Sequence, residues 1–305
     1  MANPPTLDDG LIGGWALFGE DEFATYGPNG IVGYGELHAY ASDLTSATAA
    51  DNLLLETGTS LLGATTVNSL TMYDAQIELA DHTLVVESGG VMNRSFRFAE
   101  FNGPGRITAG TSAGAELLTF GNLLISADIV DSGAGAVGVT HSSGVLRLSG
   151  DNTFSGSLVV NRGESDARVE LADRTALPAE ADVVLNGGRL WIDFESDEPV
   201  ELGNLVLRDS GEIVATSGAA PNLQPANVTV ESGAFRIGLA GDAPIVKTSP
   251  LTADFSTSLL RHTGPVSIEE GILQVRLFGA APLENANAFT VHRGGILRLE
   301  GDAEF

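Results

Sequence analysis

The chain has 305 residues, 43% hydrophobic and 18% charged, a balance that supports a packed core and excludes a disordered tail. Its 15 Lys and Arg stand against 40 Asp and Glu, a formal charge of −25 that would repel nucleic-acid phosphates and anionic bilayers. With no cysteine, disulfide staples and thiolate metal sites are excluded as well.

The 38 glycines carry no G-X-Y period, which removes collagen and favours a β architecture dense in turns. The acidic balance reads first as solubility and mutual repulsion of long surfaces, and second as calcium-dependent or acid-stable life outside the cell.

At the start, Met1 to Asp9 lacks the basic and apolar regions of a secretory signal, and no apolar run is long enough to span a bilayer. The following residues already read as folded module, so the chain is expected to be a piece of something longer. Residues 1–50 are assigned to an irregular capping region and 51–305 to coils. Trp15, Phe18, Phe23 and Tyr26 are expected to fold over an open sheet end, with a sugar-stacking platform as the alternative.

Downstream, helical periodicity is not sustained, and short runs alternate apolar with polar residues. Examples are Val67 to Met72, Ala75 to Leu79, Ala167 to Leu171 and Asn204 to Leu207. A glycine turn followed by an apolar-x-apolar strand recurs at Gly144-Val145-Leu146-Arg147-Leu148, Gly188-Arg189-Leu190-Trp191-Ile192, Gly233-Ala234-Phe235-Arg236-Ile237, Gly271-Ile272-Leu273-Gln274-Val275 and Gly295-Ile296-Leu297-Arg298-Leu299. Ser210-Gly211-Glu212-Ile213-Val214 is comparable, and Ser88-Gly89-Gly90-Val91-Met92 is a weaker copy.

Gly188 to Gly211, Gly211 to Gly233 and Gly271 to Gly295 are steps of 23, 22 and 24 residues. A period in the twenties carried by short strands marks a solenoid with one coil per repeat, and the leucine-rich frame is absent. The fold expected is therefore all-β, a right-handed parallel β-helix, with a β-sandwich of regular hairpins as the alternative. A coil this short cannot bury its own apolar side chains, so inward residues must stack on the coils above and below. At ~4.8 Å per coil, roughly a dozen coils would make a rod of about 60 Å.

The segment Gly144 to Gly163, GVLRLSGDNTFSGSLVVNRG, runs on to Ala176-Leu177-Pro178 and then to Gly187-Gly188-Arg189-Leu190. In that order it resembles the autotransporter-associated β-strand repeat, with Asn152, Thr153, Phe154, Gly156, Asn161 and Gly163 on matching positions. The stretch Gly10 to Ala16, continuing through Asp21 to Tyr26 and Gly30 to Val32, also looks like a module of such giant bacterial repeat proteins, as does Thr66 to Leu70. The charged insertion Arg162-Gly163-Glu164-Ser165-Asp166 departs from the pattern.

The resemblance implies a surface-exposed or secreted passenger acting as adhesin, matrix component or stalk, with no catalytic residues. Partners would be surface glycans, host or neighbouring cells, or further copies of the chain. Any membrane translocator would lie beyond Phe305.

Because parallel β-helices also carry polysaccharide-cleaving enzymes, the residues must decide. Asp21 with Glu22 and Asp193 with Glu195 are the candidate carboxylate pairs; the second is expected on the solvated face of a strand, opposite a buried Phe194. Lys247 and the scattered arginines form no cluster for binding uronate. His38, His82, His141, His262 and His292 show no metal spacing and read as satisfied surface or turn histidines. Asp8-Asp9, Gly19 to Glu22 and Ser196-Asp197-Glu198 read as turn acids with at best loose calcium affinity.

Catalytic, cofactor and metal residues are accordingly assigned to none. A polysaccharide-active β-helix enzyme and a phage tail-spike-like fibre are the alternative functions.

Overall fold

The computed structural model describes residues 4–110, 114–163, 166–216, 220–256, 261–277 and 288–301. Strands make up 52% and helix 3%, and parallel sheets stack as a β-solenoid of about 10 turns. The expected β-helix is what forms. Antiparallel pairing, which the sandwich alternative needs throughout, is confined among named strands to the N-terminal hairpins. Contacts divide the chain into two compact units, 1–156 and 157–305.

In the first unit each coil has three sides. Face A holds Asn52–Leu55, Ser69–Met72, Gly90–Asn93, Glu116–Phe120 and Gly138–Ser143, paired in parallel in that order. Face B holds Thr59–Ser60, Gln76–Glu78, Ala99–Asn102, Leu123–Ile125 and Val145–Leu148. Face C holds Thr65–Val67, Thr83–Val86, Arg106–Ala109 and Asp128–Ile129. The run Val67 to Met72, which alternation alone makes one strand, breaks at Asn68. That buried side chain turns the corner between faces C and A and donates to Asn52 Oδ1 at 2.9 Å.

In the second unit, the face labelled A holds the registered positions Leu158, Val183, Leu205, Val228, Ile245, Val266 and Phe289. Their spacing runs from 17 residues (Val228 to Ile245) to 25 (Leu158 to Val183), so the period of 22 to 24 is not strict. Side three absorbs the variation: its described residues form loops, a 3-10 turn at Arg174–Ala176 and short parallel pairings, Val200 to Leu202 with Leu223 to Pro225, a Leu223–Leu239 bridge, and Ala240–Gly241 with Arg261–His262.

Face B places the apolar-x-apolar phrases in register, and its inward rank is Leu190, Ile213, Phe235, Phe255, Val275 and Leu299. The first five average essentially no exposure, and Phe235 and Phe255 stack with ring centroids 4.4 Å apart. Fully burying one such side chain contributes roughly 1.5–3 kcal/mol, and only the adjacent coils can supply that burial. Gly233, at φ +131, shows why glycine opens the phrase: a Cβ there would lie 2.1 Å from the Gly211 carbonyl oxygen. The weaker copy, Ser88 to Met92, belongs to face A rather than to this rank.

The N-terminal region is more regular than expected. Leu17–Phe18, Glu22–Gly27 and Gly30–Gly33 form a three-stranded antiparallel sheet, followed by a short helix, Tyr34–Leu37. Nor is it purely an end cap. Leu11, Phe23 and Tyr34 pack with Met92 and Phe120, whose side chains point outward from face A, so the module covers a side of the coils. Gly14 permits the approach, since a Cβ would meet the Ser88 carbonyl oxygen at 2.3 Å. The first coil edge is met by Ala41, which bridges Leu53 in parallel.

Candidate functional site

The residues of the repeat-like phrase are spent on the ladder. Asn152 is buried and its Oδ1 accepts from the Ile129 backbone N–H at 2.7 Å, while the Thr153 N–H donates to the Ile129 carbonyl at 2.9 Å. Phe154 is buried, and the Gly156 N–H donates to the Val137 carbonyl at 3.0 Å. A Cβ on Gly156 would lie 2.5 Å from that oxygen. Asn161 ends its strand and accepts from Asn186 Nδ2 at 2.9 Å, an amide rung between successive coils. Within the charged insertion, Glu164 and Ser165 lie outside the described residues.

The candidate carboxylates separate. Glu22 Oε1 accepts from the Gly35 N–H at 2.7 Å and from the Tyr40 hydroxyl at 3.4 Å, which holds the helix against the hairpin. Burial, with Glu22 alongside, raises the Tyr40 phenol above its ordinary range. Asp21 instead pairs with Arg94 at 3.4 Å. Asp193 to Glu198 is a loop rather than a strand, and Phe194 is half-buried rather than buried, so the expected two-faced strand ends at Ile192.

Two histidines depart from the expectation of surface or turn positions. His141 is fully buried on the inward rank of face A, opposite Thr119, with Nδ1 3.0 Å from Thr119 Oγ1 and Nε2 3.0 Å from the Gly144 carbonyl. Desolvation pushes its pKa down to about 4, so the imidazole is neutral at pH 7. His262 is buried too, with Nε2 2.8 Å from the Ala243 carbonyl, and burial lowers its pKa. Alternation could have placed His141: Val139 and His141 are both inward in Gly138–Ser143. His38 stacks on Tyr34 at 4.7 Å, His82 lies 3.4 Å from Asp81, and His292 is exposed.

Lys247 is also buried, inward on face A between Val230 and Ile268. Its ammonium donates to the Ser249 and Glu270 carbonyls, and burial pulls its pKa below the ordinary lysine range. It is a corner brace inside the stack.

Four of the arginines fall into line. Arg168, Arg189, Arg236 and Arg276 line the outer side of face B in the second unit, each beside a carboxylate: Glu170, Glu212 and Asp254 serve four of them. Arg168 also lies over the Trp191 ring at 4.1 Å. Arg168 and Glu170 share one strand, while the register brings together the other three pairs, which the sequence separates by about one coil, and the result is a charge-balanced ladder.

Open grooves occur among the described residues. One, of about 400 Å³, runs between the N-terminal module and the coils, lined by Asp8, Gly14, Trp15, Glu87, Ser88 and Glu116. Trp15 is 66% exposed there, whereas Phe23 is buried in the packed core, Phe18 is exposed and Tyr26 is half-buried, so the four N-terminal aromatics do not act as one group. Another, of about 670 Å³, is lined by Glu180, Asp182, Glu201, Asn204, Gln224 and Asp242. Asp182 there accepts from the Asn204 backbone and side chain at 2.6 and 3.0 Å. Among the described residues, no three His, Asp or Glu side chains converge as a metal site, and no helix is long and apolar enough to cross a membrane.

No family model, curated protein or solved structure matches the chain. The likeness to the autotransporter-associated repeat therefore rests on the quoted residues alone.

Proposed function

We propose that the chain is a non-enzymatic structural and adhesive segment of a bacterial cell-surface or secreted protein, autotransporter-like, which displays binding surfaces on a stack of coils outside the cell. The observation that carries this reading is the use made of the repeat-like phrase. Asn152, Thr153, Phe154 and Gly156 all close the ladder or fill the core, and none reaches a groove. The one lysine and two of the five histidines are likewise committed to buried hydrogen bonds.

The polar groups that face water are balanced locally, as in the arginine–carboxylate ladder, which suits a surface that must stay soluble while stacked. The lack of cysteine fits export, since a chain that crosses an oxidising compartment unfolded then forms no stray disulfides. Glycans, neighbouring cells or further copies of the chain are the partners expected.

The test pairs glycan-array and cell-binding screens with an assay for new reducing ends and unsaturated uronate, using plant and bacterial polysaccharides. Binding without product release is the expected result. Release of either product would replace this reading with a polysaccharide-active enzyme.

A further inference from the structure

We propose that the corner loop Arg94–Phe98, together with Tyr73, is a binding site for neutral saccharide chains. The inference rests on the adhesive reading above and gives that reading a location and a ligand class.

The corner from face A to face B needs little chain. One coil later it is made by two residues, Gly121 and Asn122, between Phe120 and Leu123. One coil earlier it is made by three, Tyr73 to Ala75. Between Asn93 and Ala99 it takes five, Arg94-Ser95-Phe96-Arg97-Phe98, so the extra residues are not required to close the coil.

The added chain is held in place by buried polar groups. Asn93, 5% exposed, donates through Nδ2 to the Arg97 carbonyl at 2.6 Å and the Asn122 carbonyl at 2.7 Å. Its Oδ1 accepts from the Ser95 N–H at 3.1 Å, and Ser95 Oγ accepts from the Arg97 N–H at 3.1 Å. From the next coil, Asn122 Nδ2 donates to the Phe96 carbonyl at 2.8 Å. These bonds fix a loop whose central phenylalanine is 85% exposed. An apolar ring held out in water by its own scaffold is preorganised for contact, since the ordering entropy is already lost before a ligand arrives.

The surroundings select the ligand. Tyr73 is 53% and Phe98 37% exposed, and Arg97 Nη1 lies 3.5 Å from Asp74 Oδ2, which ties the loop to the corner below. The site thus offers exposed aromatic rings for the C–H faces of pyranose rings, one of which, Phe96, has the Arg97 guanidinium 5.9 Å from its centroid on one side, with a charge-balanced donor and acceptor pair for hydroxyls. Its other arginine, Arg94, is likewise paired, with Asp21, so there is no net positive charge to select an anion. The three rings present on the order of 350 Å² between them, given 150–250 Å² for a whole aromatic side chain. A stable protein partner needs about 800 Å² per side, whereas a few sugar units need far less.

The experiment screens the full chain against an array of neutral and anionic oligosaccharides, then titrates the best neutral one calorimetrically into wild type, Phe96→Ala, Phe96→Leu, Tyr73→Ala and Trp15→Ala. Both Phe96 variants are expected to weaken binding at least tenfold and Tyr73→Ala to weaken it several-fold, while Trp15→Ala changes nothing. Because Phe96 makes no core contact, the thermal midpoint of its variants should stay at the wild-type value. Retention of wild-type affinity in Phe96→Leu would assign the site to a generic apolar partner and overturn the proposal, as would binding only of anionic glycans or of none. Cell adhesion that survives Phe96→Ala would sink this site but leave the adhesive reading standing; product release would sink that reading instead.

Discussion

In Ser69–Met72 and Gly90–Asn93 all the residues are buried, while in Val183–Asn186 buried positions alternate with half-buried ones. The same face of the same kind of coil therefore meets two environments. Early in the chain its outer side is covered by the N-terminal module, through Phe23 against Met92 and Phe120. Later its outer side meets water. The difference teaches that coil stacking satisfies only the inward rank, and that any further burial has to come from an element outside the repeat.

The strongest way to break this comparison is to remove residues 1–40. Met92, Phe120 and Leu118 would then be bared on adjacent coils as one apolar strip, and the truncated chain is expected to aggregate where the full chain stays monodisperse by light scattering. A soluble truncation of equal thermal stability would mean that the module is not a cover.

Single large-to-small changes sharpen it. Phe23→Ala and Phe255→Ala should each cost about 3–5 kcal/mol in denaturant unfolding, because both rings are completely buried. Hydrogen exchange should distinguish them. Phe23→Ala should raise exchange across residues 8–40, whereas Phe255→Ala should raise it in the strands registered with Thr252–Ser256.

An intermediate effect is expected from pH. His141 titrates near 4 when folded and at its ordinary 6.5 when unfolded, so below pH 6.5 the unfolded chain takes up a proton that the native state excludes. Stability from this group is complete above 6.5 and is lost as pH falls towards 4, by roughly 3 kcal/mol for a shift of this size. His141→Gln should flatten that slope in unfolding curves taken from pH 7 to 4; an unchanged slope would place the titration elsewhere.

The smallest effect belongs to the outer ladder. Arg236→Ala removes a partly exposed pair with Glu212 and should cost no more than about 1 kcal/mol, less at high salt.

How much of this was legible in the sequence differs by element. The face B phrases were, because glycine and strict apolar alternation at Gly188 to Ile192 or Gly295 to Leu299 encode both the turn and the inward side. The break at Asn68 was not: Val67 to Met72 alternates across it, and only the bond to Asn52 on the neighbouring coil turns the chain there. The burial of His141, expected at a surface or turn, and of Lys247 is not carried by a motif, because their partners, Thr119, Gly144, Ser249 and Glu270, are set by register and corner geometry. The arginine ladder was hidden for the same reason, as its members lie about one coil apart in sequence. The exposed rings of the Arg94–Phe98 loop are not legible in the sequence, because their exposure follows from a corner longer than those of the neighbouring coils.

The sequence by itself determined an all-β chain of short strands with glycine turns and a period in the twenties, since each short apolar rank needs a neighbour to bury it; the parallel registers then decided for stacked coils over a sandwich. Only the tertiary structure decided which polar residues enter the stack, which arginines meet which carboxylates and which side of face A is covered. Those outcomes depend on register between coils and on an N-terminal module docked sideways, and neither is written in the pattern of any one repeat.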